Sequence, residues 1–479
     1  MVPGVMEQSG REPDEELWRR TWHGGAEVYN RVMPTMGQVL LVNPWIYDFA
    51  AFNSWSEPVG LLTIAAALRE SGYGVTVVDC LAPHPGAPPG RADGTGKFYK
   101  TEVPKPAAVA FVPRRFGRYG LPLEQFAARL AAAPAPDLVL MASGMTYWYP
   151  GVLEAIRQVR ARFGAVPVAL GGVYATLCAD HSRRMSGADL VIEGAGVVPA
   201  LQLAGQVAGH DLNPGRFVQA LSWPAPAHEL TPRPYAAVLT SWGCPYRCTY
   251  CAGHRLQPTF IQRESEPVLD EIAACAARGI RDFAFYDDAL LIDAGRHLVP
   301  ILEGIVARGI VARFHTVNGL HARGLTPELA VLMRRAGFAH VRLSLETTDA
   351  ARQRDTGGKV TSGDFERAVR CLQAAGFGPA ELRAYVLAAL PGQPLAEIEA
   401  SVRFILELGV QAELTLYSPI PGTPDGDRAL PAGADPLLHN NTVYPYLVGP
   451  EYVRELQRLK EMVKERNWRL DKGDSGVFL

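Results

Sequence analysis

From Gln38 the chain alternates short, wholly apolar runs with stretches in which apolar residues recur every three or four positions. QVLLVNP (38–44) leads into a helical pattern over 59–70 and then GVTVVDC (74–80); after a break come DLVLMAS (137–143), a helical stretch over 149–162, VPVALGG (166–172), ADLVIEG (188–194) and a helix over 197–207. Continuous apolar strands joined by amphipathic helices predict a parallel sheet buried on both faces. The ligand crevice of such an open α/β sheet lies beyond the carboxyl ends of its strands. Asn43, Ser143, Gly171, Gly172 and Gly194-Ala195-Gly196 stand there, small enough for a large flat ligand to approach the backbone. Ordinary turns use the same residues.

The alternation stops over 81–120, a Pro/Gly-rich segment carrying Lys97, Lys100, Lys105, Arg114, Arg115 and Arg118 among several aromatic residues. It reads as a basic insert, either a solvated surface or a contact for phosphate or carboxylate groups. WPAPAHELTPRP (223–234) predicts an extended linker, placed at 223–235. Beyond it the βα pattern returns six times, in AAVLTSWG, DFAFYDDAL, ARFHTVNG, HVRLSLET, LRAYVLAALPG and AELTLYSPIPG, with helices expected at 267–278, 295–308, 327–336, 363–375 and 395–408. Six strands with five crossovers predict a partial barrel whose site lies at the carboxyl ends of its strands. The organisation expected is an N-terminal extension (1–36), an α/β half (37–222), the linker, a partial barrel (236–424) and a helical extension on the substrate side (425–479).

Composition narrows this only slightly. A net charge of −2 over 479 residues gives no global reason to expect nucleic acid or a membrane surface as partner. No run is apolar for the length of a membrane span and the N-terminus lacks a signal-peptide core, so a cytoplasmic protein is expected. Of seven cysteines, Cys80, Cys178, Cys275 and Cys371 are scattered and three crowd into eight residues, which implies one site and no disulfide framework.

That site is Cys244-Pro-Tyr-Arg-Cys248-Thr-Tyr250-Cys251, at the end of the first barrel strand. Three thiolates on one loop can hold an iron-sulfur cubane and leave one iron open for an exogenous ligand. A zinc site completed by His254 is the alternative.

The CxxxCxxC spacing, with an aromatic residue before its last cysteine, resembles the signature of the radical S-adenosylmethionine (SAM) superfamily, and the six βα units resemble its partial (β/α)6 TIM-like barrel. Together with the flavodoxin-like, Rossmann-like first half, the chain is similar to members that carry an N-terminal cobalamin-binding domain. The resemblance implies that Cys244, Cys248 and Cys251 ligate a [4Fe-4S] cluster whose open iron takes the amino and carboxylate groups of SAM, and that reduction cleaves SAM to a 5'-deoxyadenosyl radical. It implies a small-molecule or peptide substrate and an electron donor such as ferredoxin or flavodoxin. It places Asp287 and Asp288 at the SAM ammonium, Ser344 and Glu346 at the ribose or ammonium, and Gln393 with its neighbours at the adenine. Asn318 and Tyr417 become candidates for SAM or substrate, and Tyr250 lies within the signature. Arg383 is expected at the SAM carboxylate or packed on Glu346. Ser143, Gly171, Gly172 and Gly194 are the candidates for cobalamin. Two departures stand out: no D-x-H-x-x-G follows Pro44, so cobalamin would bind without a histidine ligand, and Gly194-Ala195-Gly196-Val197 stands where the family commonly has Gly-Glu-Gly-Glu. The expected reaction is a cobalamin-dependent methyl transfer, with a radical cyclisation, oxidation or rearrangement as the alternative. No residue pattern names the catalytic side chains or the substrate.

Overall fold

In the first sheet every strand is parallel: β1 (Gln38–Asn43), β2 (Gly74–Asp79), β3 (Leu138–Met141), β4 (Val168–Leu170) and β5 (Leu190–Val191). Their spatial order, β5-β4-β3-β1-β2, is flavodoxin-like and puts the switch point between β1 and β3. Strand β1 shows why its sequence is apolar throughout. Leu40 and Val42 enter one core, with α2 (Leu123–Ala132) and α3 (Tyr149–Phe163), while Val39 and Leu41 enter another, with α1 (Val59–Glu70) and α4 (Val197–Val207). Helices α1 and α4 have the bounds expected from their periodicity. The computed structural model describes residues 35–209 and 214–472; all but the last two residues of the expected extension 1–36 lie outside the described residues.

The 81–120 segment differs from the loop its composition suggests. Strands Lys100–Glu102 and Gly117–Tyr119 pair with Ile46–Asp48 in a small antiparallel sheet. Phe98, Val109, Val112, Phe116 and Tyr119 are buried, and Arg118 is buried with its guanidinium 5.6 Å from the Trp45 ring. These anchors follow neither helical nor strand periodicity, so the pattern hid them.

The second sheet runs in chain order: β6 (Tyr235–Val238), β7 (Asp282–Phe285), β8 (Arg313–Thr316), β9 (Phe338–Glu346), β10 (Leu382–Ala388) and β11 (Gln411–Leu416), all parallel. Its crossovers are α5 (Ser265–Ala277), α6 (Leu298–Ala307), α7 (Pro327–Ala336), α8 (Ser362–Ala374) and α9 (Leu395–Glu407). Local signals set their ends: Thr326 caps α7 ahead of Pro327, Gly337 ends it in the left-handed region, and Thr361 with Asp364 forms a capping box on α8. A partial barrel leaves β6 and β11 as edges, and α10 (Pro450–Asp471) tends the latter. Asn467 there accepts from the Ala412 N–H at 3.0 Å and donates to its carbonyl at 2.8 Å.

The proline-rich linker is a buried joint and not an extended spacer. Arg233 forms a fully buried ion pair with Asp79 at the end of β2. His228 lies between Glu57 of the first half (2.9 Å) and Glu271 of α5 (3.3 Å), and Arg263 joins Glu271 at 2.8 Å. Among the described residues no helix is long and apolar enough to cross a membrane.

Candidate functional site

The cysteine loop leaves β6 at the carboxyl mouth of the barrel. Gly243, at φ +79°, turns it; a side chain there would press on the Thr259 carbonyl at 2.9 Å. Two later segments clamp the loop. Thr249 N–H donates to the Thr356 carbonyl (3.3 Å), and a Cβ on Gly357 would stand 3.2 Å from the Cys248 Cα, so the Thr356-Gly357-Gly358 turn can approach only as glycine. From the other side Asp425 N–H donates to the Thr249 carbonyl (3.0 Å), and the Thr249 hydroxyl donates to the Asp425 carboxylate (2.5 Å).

Cys248 is buried, Cys244 half-buried and Cys251 exposed. Burial pushes all three thiols up, Cys244 to about 11, and each feels the charge of at least one of the others. For Cys248 and Cys251 the Lys359 ammonium opposes the shift, and Gly253 N–H donates to the Cys251 Sγ at 3.4 Å. Soft donors so grouped fit an iron-sulfur cluster, whose edges keep its cysteines apart. Among the described residues no three His, Cys, Asp or Glu side chains converge as one metal ion requires, so Cys244, Cys248, Cys251 and His254 are not arranged as a tetrahedral zinc site.

Around this loop the candidate residues fall into distinct roles. Asp287 is buried and accepts from Thr240 N–H, the Thr240 hydroxyl (2.7 Å) and the Ser241 hydroxyl (2.6 Å), so it ties down the end of β6. Asp288 stays open to solvent; surrounding protein desolvates it and Asp287 repels it, which pushes its carboxyl up to about 6. Asn318 bridges the acidic turn, donating to the carbonyls of Tyr286 (2.9 Å) and Asp287 (3.3 Å) and to the Asp288 carboxylate (3.4 Å). Ser344 donates to the Gly319 carbonyl (3.1 Å).

Glu346 ends β9 at φ +62° and pairs with Lys359 at 2.7 Å, both side chains only 13% exposed. Lys359 also lies 5.9 Å from the Tyr250 ring, and Tyr250 packs beside Tyr417 and Leu387. Sequence reasoning missed Lys359; the one available signal was a Gly-Gly-Lys run after a strand already assigned to the site. Gln393 is used internally: it accepts from Leu390 N–H (3.2 Å) and donates to the Leu387 carbonyl (3.0 Å) and to Glu397 (3.2 Å). Tyr417 is buried against Tyr444, with ring centroids 5.6 Å apart. Arg383 departs from both expectations. It is the second residue of β10, about five steps of ~3.3 Å below the mouth, and the partner of Glu346 is Lys359.

At the first sheet the small residues also divide. Ser143 donates to the Gly171 carbonyl (2.7 Å) and accepts from Ala175 N–H (3.2 Å), while a Cβ on Gly172 would strike the Ser143 carbonyl at 2.4 Å. Those two residues brace one another. Gly194 faces open space, and with Ala195, Glu193, Thr176 and Arg255 it borders a cavity of about 500 Å³ between β5 and the helical turn after the cysteine loop. A cavity lined by both halves fits part of a large cofactor.

Comparison with known proteins agrees with this division. An uncharacterized methyltransferase of Pyrococcus horikoshii is 25% identical over 220 residues, 42% of this chain and 45% of the relative. The ribosomal protein uS12 methylthiotransferase RimO of Desulforudis audaxviator is 26% identical over 203 residues, 40% of this chain and 44% of the relative. The chain thus spans less than half the length of these curated relatives. The radical SAM methyltransferase TsrM of Kitasatospora setae superposes with TM-score 0.60 at 20% identity, over 82% of this chain and 75% of that one. The cobalamin-dependent radical enzyme OxsB gives 0.54 at 14% identity, over 88% and 56%. These likenesses show the fold, a Rossmann-like sheet ahead of a partial barrel. Residues 238–405 match the radical SAM superfamily model, and the chain therefore carries a radical SAM domain built around the Cys244–Cys248–Cys251 loop.

Proposed function

We propose that the protein is a radical SAM enzyme that uses a [4Fe-4S] cluster on Cys244, Cys248 and Cys251 to cleave SAM reductively, in the service of a cobalamin-dependent methyl transfer. The observation that carries this is the clustering of the three thiols at the barrel mouth, with Asp288 the one acidic group beside them that no internal cation holds. The cluster, when bound, supplies the electron that splits SAM, and cobalamin supplies a carrier for the methyl group. The chain's own residues do the rest. Asp288 receives the SAM ammonium in a charge-assisted hydrogen bond, held in place by Asn318 and by the anchored Asp287. Lys359 holds the Glu346 carboxylate, and the packed Tyr250, Leu387 and Tyr417 exclude water from that side. The cavity at Gly194, and the likeness to solved cobalamin enzymes TsrM and OxsB, support cobalamin at the join of the halves.

The test is anaerobic reconstitution followed by titanium citrate, SAM and cobalamin. Brown protein with iron and sulfide that releases 5'-deoxyadenosine is the expected result, and serine at all three loop cysteines should reduce both cluster and product to background. An intact cluster that yields no 5'-deoxyadenosine sinks the proposal, as does stoichiometric zinc without sulfide. One observation favours a second reading, a radical cyclisation, oxidation or rearrangement with a structural first half: Ser143 and Gly172 are occupied by each other. The visible spectrum of protein purified with cobalamin separates the two.

A further inference from the structure

Lower in the barrel, two guanidinium groups stand side by side. Arg342 of β9 and Arg383 of β10 are register partners. Their neighbours Val341, Leu343, Leu382 and Ala384 belong to the apolar layer beneath the helices, so alternation turns both arginines to the barrel interior. Their surroundings are unequal. Arg342 donates to the Thr316 carbonyl (2.8 Å), lies 3.5 Å from the Glu413 carboxylate and has its guanidinium 5.6 Å from the Trp55 ring. Arg383 forms no ion pair and no hydrogen bond among the described residues, and its Nε is buried without an acceptor.

Trp55, delivered by the first half, explains which part of the interior is left over. It stacks on His315 with ring centroids 4.2 Å apart and accepts at its carbonyl from the Tyr286 hydroxyl (2.5 Å), filling the β6–β8 side. The β9–β11 side keeps Arg342, Arg383, Tyr385 and Glu413. Glu413 is 40% exposed, so solvent reaches this side. His340, which also faces the pair, is pushed down to about 4 by burial and by the charges of His315, Arg342 and Arg383. It is therefore neutral near pH 7, leaving two cations against one carboxylate.

Two adjacent guanidinium groups repel each other, and one with a buried donor and no acceptor carries an uncompensated desolvation cost. A planar or tetrahedral oxyanion removes both penalties, because the guanidinium fork matches carboxylate and phosphate oxygens in pairs. We propose that Arg383, with Arg342, binds an oxyanion of the substrate, a carboxylate or a phosphate, within the barrel; this rests on the radical SAM reading of the same barrel. The span from Arg383 to Ala388, about 16 Å of strand at ~3.3 Å per residue, sets the rest of the substrate's shape. Its reacting carbon lies several bonds from the oxyanion and reaches toward the thiol loop, while the anion stays at the floor.

The experiment uses the reconstituted full chain and follows thermal midpoint and tryptophan fluorescence during titration with butyrate, inorganic phosphate, neutral butyramide, and sodium chloride at matched ionic strength. In the parent protein butyrate or phosphate should raise the midpoint beyond the chloride control and butyramide should not; whichever oxyanion acts more strongly identifies the substrate group. Arg383→Met should weaken the apparent affinity about tenfold or more, and Arg383→Lys should retain part of it because the charge stays and the fork is lost. Equal responses in the parent and Arg383→Met, or none beyond chloride, overturn the proposal. If Arg383→Met does not fold, Arg383→Lys decides: an unchanged affinity there overturns it. Iron, sulfide and 5'-deoxyadenosine are measured in the same samples. A lost anion response with an intact, SAM-cleaving cluster supports the substrate site, whereas an anion response without any cluster counts against the radical SAM reading instead.

Discussion

The carboxyl ends of the two sheets make an instructive pair. At the barrel mouth the polar groups that a cofactor could use are held in place by other residues and remain free themselves: Asp287 braces the turn so that Asp288 stays open, and Lys359 and Glu346 pair beside the thiols. At the first sheet the candidate residues mostly brace each other, since Ser143 is spent on Gly171 and Ala175 and Gly172 is flush against Ser143. Only the Gly194–Ala195 turn faces a cavity. A binding site therefore needs more than small residues at strand ends; it needs a supporting set that leaves the working set unsatisfied.

Four changes sharpen or break this contrast. The largest effect belongs to the acidic pair. Asp288→Asn should weaken SAM binding roughly 10- to 100-fold, the worth of a charged hydrogen bond of ~1.5–3 kcal/mol, with little change in thermal midpoint. Asp287→Asn should instead lower the midpoint, because it disturbs the acceptor shared by Thr240 and Ser241. SAM titration and thermal denaturation of both variants check this, and a reversed pattern would break the assignment.

Lys359→Met comes next. It leaves Glu346 half-enclosed without a partner and should cost about 2–3 kcal/mol, somewhat below the ~3–5 of a fully buried pair because both side chains keep some exposure. Denaturant unfolding measures it, and adding Glu346→Leu should recover much of the loss. If the single variant unfolds like the parent, the pair is not a structural support.

Ala195→Trp then probes the first sheet by filling its cavity. Cobalamin affinity should drop about tenfold, a loss of ~1.4 kcal/mol, with cluster content and SAM binding unchanged. Unaltered cobalamin binding would place that cofactor elsewhere.

The smallest effect concerns the joint between the halves. His228 is raised to about 10, the carboxylates of Glu57 and Glu271 outweighing the burial that opposes them. A raised folded value means that the folded protein holds a proton which the unfolded chain releases. This stabilisation is full below about 6.5 and is lost as pH rises toward 10, at no more than ~1.4 kcal/mol per pH unit for one proton. His228→Gln should flatten stability over that range in chemical denaturation; an unchanged slope would show that the proton sits elsewhere.

Much of the architecture was legible in the sequence because it depends on short-range physics. Apolar periodicity placed five strands and then six, bounded α1, α4 and α7 to the residue, and the cysteine spacing located the site at the first barrel strand. What stayed hidden depends on contacts between residues far apart in the chain. No local pattern could say that Asp287 would turn inward and Asp288 outward, since both are carboxylates on one turn. Nor could it place Arg383 at the barrel floor beside Arg342, pair Glu346 with Lys359, pin the proline-rich linker through Arg233 and His228, or bury the aromatic residues of 81–120. A period reports which face of an element is apolar; which polar group on the other face finds a partner is decided only when strands come into register and burial makes an unpaired charge costly.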